Sequence, residues 1–69
     1  KRKYLYAINF AINNKDSEVA PYVALSEIYD ANTKFLDTIY KALPKHIANS
    51  KYGLELDTFI KQRKQEDNQ

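Results

Sequence analysis

The stretch Ser17–Tyr29, SEVAPYVALSEIY, decides the fold of this 69-residue chain. It holds the densest apolar run together with a helix start and a helical repeat. Tyr22, Leu25, Ile28 and Tyr29 recur at spacings of three, four and seven, which places them on one side of a helix. Asp16 or Ser17 can cap that helix, and Glu18 suits the positive end of its dipole. Pro21 is tolerated only near a helix start, where its missing N–H has no intrahelical partner anyway. The helix therefore starts within Asp16–Ala20 and runs to about Tyr29 or Asp30. No catalytic motif lies in it or beside it.

Upstream, Lys1–Asn13 reads as a first helix. Tyr4, Ile8 and Ala11 form one row, and Leu5, Ile8 and Ile12 an overlapping one. Tyr6 and Phe10 point elsewhere, so this helix is apolar on more than one side. Its basic start, Lys1-Arg2-Lys3, sits badly at the positive end of a helix dipole. Asn13–Asp16 is a polar turn.

Downstream, Asp30–Thr33 breaks the pattern, and Asn32 or Thr33 can cap a third helix. Leu36, Ile39, Tyr40 and Leu43 make its stripe, with Asp37 and Lys41 paired outside. Pro44 ends it and forces Leu43 out of the helical region. Pro44–Ala48 makes one short turn with Ile47 inward. A last helix runs from Ser50 or Lys51 to about Lys64, with Tyr52, Leu56, Phe59, Ile60 and Arg63 on one face. Gly53 in its first turn costs about 1 kcal/mol against Ala and predicts the close approach of another backbone. The expectation is an all-α fold: a small bundle of about four helices, in two helical hairpins, with no sheet. Residues 1–64 form the helical domain and 65–69 a polar tail or linker. The expected core is Leu25, Ile28, Leu36, Ile39, Leu43, Leu56 and Phe59.

Composition narrows the function. The chain is 43% hydrophobic, with one Gly, two Pro and no Cys, which is globular rather than disordered. Without Cys or a His–acid cluster, no disulfide, metal or cofactor staples the fold. A core this small supplies roughly 3–5 kcal/mol. A net charge of +2 gives no case for nucleic acid. No apolar run is long enough to span a membrane. The chain opens at Lys1 rather than Met, so we expect a piece of a longer protein.

Chemistry-bearing residues are sparse. His46 is the only His, with no acid near it in sequence to orient a general base. Glu27 and Asp30 are close enough to share a cation but lack further oxygen ligands. The KRKYLY start mixes basic and aromatic residues, as single-strand binders do, but Tyr4 is in register with Ile8 and reads as core. Six Tyr and three Phe are more than so small a core can bury. Tyr6 and Phe10, which leave the main stripe, are the candidate interaction surface.

Two segments carry a family resemblance. Residues 13–29, NNKDSEVAPYVALSEIY, hold Asn14, Asp16, Ser17, Ala20 and Tyr22 of an N-x-D-S-x-x-A-x-Y-x-L pattern, with either Ala24 or Leu25 answering to its final Leu. Residues 43–64, LPKHIANSKYGLELDTFIKQRK, hold Leu43, Ser50, Tyr52, Gly53 and Leu56 in an L…S-x-Y-G-x-x-L pattern. Together they resemble the helical segment before the thioredoxin-like domain of Bacteroidetes envelope thiol–disulfide oxidoreductases, whose chains begin with a β-rich domain. The family's Cys-x-x-Cys and cis-proline loop have no counterpart here, so no catalytic residue carries over. The resemblance implies a non-catalytic accessory domain in the periplasm or cell envelope, partnered by adjacent domains of its parent chain. The alternative is a free-standing helical module that binds a protein partner and has no redox link. An enzyme complete in itself would need a nucleophile–base pair or metal set, which the sequence does not display.

Overall fold

The computed structural model describes the backbone of residues 2–67 and the side chains of residues 4–66. Over these residues the chain forms five helices and no strand: α1 (Arg2–Asn13), α2 (Val19–Glu27), α3 (Thr33–Ala42), α4 (Lys45–Ala48) and α5 (Lys51–Asp67). Their radius of gyration is 11.0 Å, matching the roughly 11 Å of a folded chain this long.

The boundaries follow from local chemistry. Asn14 closes α1, its side-chain amide donating to the Phe10 carbonyl at 2.8 Å. Ser17 starts α2 by accepting the Val19 N–H at 3.2 Å. Pro21 is the third residue of that helix and is buried. Asn32 caps α3 by accepting the Lys34 N–H at 2.9 Å. Leu43 is extended, at φ −72° and ψ 135°, directly before Pro44. Ser50 caps α5, accepting the Gly53 N–H at 3.3 Å while its hydroxyl donates to the Ile47 carbonyl at 2.5 Å.

Gly53 fills the expected role, and the neighbour is α4. A β-carbon there would collide with the Ile47 carbonyl oxygen and lie 2.5 Å from that of Ala48. Its φ is not positive, so space rather than backbone conformation requires glycine.

One core joins all five helices. Ile8 and Ala11 enter from α1, Leu36 and Ile39 from α3, Ile47 from α4, and Leu56 and Ile60 from α5. Ile28, Ala31 and Leu43 fill it from the connections. α5 packs against α2, α3 and α4, and α1 against α2 and α3.

Expectations about the core and about two helix ends are corrected. Leu25 is half-buried, and Tyr22 and Tyr29 are exposed. The side of α2 that faces the core is Ala20, Pro21 and Ala24. Close helix packing accommodates a methyl group where a Leu or Tyr side chain would hold the helices apart. Phe59 is also half-buried, and Ile60 takes its place beside Leu56. Finally, α5 runs to Asp67, past the expected boundary at Lys64. The remainder of the expected tail, Asn68 and Gln69, lies outside the described residues, as do Lys1 and the side chains of Arg2 and Lys3.

α2 ends at Glu27, earlier than its periodicity suggested, because tertiary contacts capture the turn that follows. Arg63 of α5 donates to the Tyr29 carbonyl at 2.7 Å and to the Ala31 carbonyl at 3.1 Å. Both carbonyls lie in the turn beyond α2, and the forked donors of one guanidinium serve them together. From α1, Tyr4 donates to Asp30. The α2–α3 turn is thus held from both ends of the chain. The expected Asp37–Lys41 pair forms at 3.6 Å, and Lys64 of α5 reaches the same carboxylate at 3.3 Å. Exposed pairs of this kind contribute about 0–1 kcal/mol each.

Candidate interaction surfaces

α1 positions the two residues that sequence alone singled out. Tyr6 and Phe10 lie one helical turn apart and are 71% and 48% exposed. Leu5, at 59%, joins them, and Asn9 and Asn13 are exposed between and beyond. The opposite side of the helix holds buried Ile8 and Ala11. This outer face has large apolar side chains in water and no covering element among the described residues.

A second exposed face lies between α2 and α5. Leu25 of α2 forms one wall of an open groove of about 410 Å³, and Leu54, Glu55, Thr58, Phe59 and Gln62 of α5 form the other. Leu54 is more than half exposed. Tyr22 and Tyr52 bridge the same two helices, their rings 5.2 Å apart and edge-on at 69°. Tyr29 stands exposed at the end of α2, where its carbonyl receives Arg63. The Arg63 guanidinium also lies 5.9 Å from the Phe59 ring centre. This volume falls in the range of small-molecule sites, but such sites enclose their ligand and converge polar groups on it. Here the polar side chains all come from α5 and the groove is open, a form suited to a side chain or helix ridge of another molecule.

The residues with chemical potential are dispersed. His46 is exposed on α4. Asp30 is engaged by Tyr4, so it and Glu27 do not form an isolated carboxylate pair. That hydrogen bond, reinforced by partial burial and by the carboxylate's charge, raises the Tyr4 phenol above its usual value of 10.0. Among the described residues no three His, Cys, Asp or Glu side chains gather to hold a metal. None of their helices is long and apolar enough to cross a membrane.

Reading the sequence located the α1 face and missed the α2–α5 face. Helical spacing puts Leu25 and Phe59 in the expected core and Tyr22 on the same side of α2 as Leu25. The usable signal was the surplus of apolar residues on α2, where Val19, Ala20, Val23 and Ala24 offer a rival inward side. Arg63 was placed in line with Leu56 and Ile60, but its bonds to the turn were not foreseen. A long cation on a core-facing row, opposite a turn with no glycine to close it, was the available hint.

No protein-family model, curated protein or solved structure matches the chain.

Proposed function

We propose that the chain is a non-catalytic accessory domain whose contribution is surface, and that it holds a neighbouring domain or protein against the exposed apolar groove between α2 and α5. The observation that carries this reading is the α2–α5 groove. Leu25, Leu54 and Phe59 line it, while small alanines take the buried positions of α2. A domain with so little core gains most by keeping its large side chains inside. Leaving them in a groove makes physical sense when another surface covers them. In this reading α1–α2 and α3–α5 are the two hairpins of a four-helix bundle, with α4 as a joint.

The resemblance of residues 13–29 and 43–64 suggests the neighbour: a thioredoxin-like domain of an envelope thiol–disulfide oxidoreductase. Thiol–disulfide exchange proceeds through a mixed disulfide, and this sequence contains no Cys. The redox step would belong to the neighbour, and this domain would set its position. The test is the coding sequence beyond Gln69 together with a disulfide-reductase assay. The expected result is a Cys-x-x-Cys domain downstream, with activity in the longer chain and none in residues 1–69. A stop codon after Gln69 would remove the redox link and favour a free-standing helical module. Activity in residues 1–69 alone would contradict the non-catalytic reading.

A further inference from the structure

We infer that the outer face of α1 rests on an anionic lipid surface. The inference deepens the accessory-domain reading by naming the occupant of one face, and it uses residues separate from the α2–α5 groove. The first observation is charge. Residues 1–15 contain four basic residues and no acidic one, whereas the rest of the chain holds seven basic and nine acidic. Asp16 and Glu18 follow Lys15 directly, and with them included residues 1–18 still carry the net positive charge of the chain, the remainder being balanced. Arg2 precedes Tyr6 by one turn, and exposed Lys15 follows the helix.

The second observation is the kind of side chain. Leu5, Tyr6 and Phe10 stand outward, and Asn9 and Asn13 accompany them. Tyrosine favours the zone between headgroups and acyl chains, where its ring is buried and its hydroxyl stays wet, and phenylalanine and leucine suit the apolar face of a helix lying there. A helix lying in that zone needs an apolar face together with cationic residues that meet anionic headgroups. The third observation is shape. α2 and α3 pack on α1 from within, so its outer side is a convex ridge. A ridge lies flat on a planar surface, whereas a protein partner would have to supply a matching trough.

Twelve residues make α1 about 18 Å long. Lying flat, it would set the side chains of Leu5, Tyr6 and Phe10 against the lipid at once. One short apolar face gives reversible attachment, so binding depends on both lipid charge and salt.

Vesicle co-sedimentation of the 69-residue chain tests this, using phosphatidylcholine alone and phosphatidylcholine mixed with phosphatidylglycerol. The expected result is binding at least about tenfold tighter to the anionic vesicles, weakened by high salt as screening shortens. Combining Tyr6→Ser with Phe10→Ser should abolish binding while circular dichroism retains the helical signal, because both side chains are exposed. Leu54→Ser, in the groove, should leave binding unchanged. Tyr6→Trp introduces the only tryptophan, and its emission should shift to the blue when anionic vesicles are added. Equal binding of the double variant, or no binding to anionic vesicles, would overturn the inference and leave this face to an acidic protein surface. Neither outcome touches the groove, whose covering is read by hydrogen exchange in a longer chain.

Discussion

Gly53→Ala is expected to destabilise the domain strongly although alanine is the better helix former. The added methyl meets backbone rather than a movable side chain: the Ile47 and Ala48 carbonyls at the end of α4. Relief requires α4 and α5 to separate, which disturbs Ser50, whose hydroxyl serves both helices. Overpacking costs typically 1–3 kcal/mol, and a rigid backbone contact lies at about the upper end. That exceeds the roughly 1 kcal/mol gained in helix propensity. At ~4–8 °C per kcal/mol in a domain of this size, a net loss of about 2 kcal/mol lowers the melting temperature by ~8–16 °C. A thermal melt of the variant checks it. An unchanged or higher melting temperature would mean that the α4–α5 joint is looser than described.

The second large effect separates core from groove. Ile39 is 1% exposed in the centre of α3, and Ile39→Ala should cost about 2–5 kcal/mol through lost burial and a residual cavity. Against a total stability of roughly 3–5 kcal/mol, that substitution removes about half or more of the stability, and at the upper end of the range it unfolds the chain at room temperature. Leu25→Ala removes a half-buried side chain from an open wall, where no closed cavity remains. Its cost should be about 1 kcal/mol, from partial loss of apolar contact. Urea unfolding of the two variants measures the contrast. Equal losses would place Leu25 in the core and leave the groove without its wall.

That contrast also marks what was legible in the sequence. The starts of α2, α3 and α5 and the end of α3 were, because Ser17, Asn32, Ser50 and Pro44 act through local chemistry that survives in the fold, whereas the ends of α2 and α5 were not. Leu36, Ile39 and Leu43 were legible, because their stripe had no competing side, as were Ile28 and Leu56, which are buried as their spacing implies. α2 was misread because apolar residues surround it, so periodicity could not choose its inner side. Choice fell to volume: where helices approach closely, Ala20 and Ala24 fit and Leu25 does not. That is a property of the assembled helices rather than of α2. Phe59 and Ile60 posed the same choice on α5, and the smaller aliphatic chain went inward. Tyr6 and Phe10 could be read as outward because the row through Tyr4, Ile8 and Ala11 already filled the inner side of α1.

Arg63 shows what pattern alone does not reveal. Its partners are main-chain carbonyls more than thirty residues away, and no side-chain periodicity encodes them. Yet this contact and the Tyr4–Asp30 bond tie both outer helices to one turn. The Arg63 contact ties the α5 wall of the groove to the turn that follows α2, and a docking surface held this way loses less freedom on association.

Hydrogen exchange tests the central claim most directly, with residues 1–69 alone compared against the same residues in a longer parent chain. Protection should rise at the backbone amides of residues 22–29 and 54–62, which flank the groove, while amides around Ile39 change little. The melting temperature of this domain should rise with it, because a contact made only by the folded state stabilises that state. Identical protection across the groove and an identical melt would contradict the account, leaving α2 and α5 with exposed side chains that nothing covers.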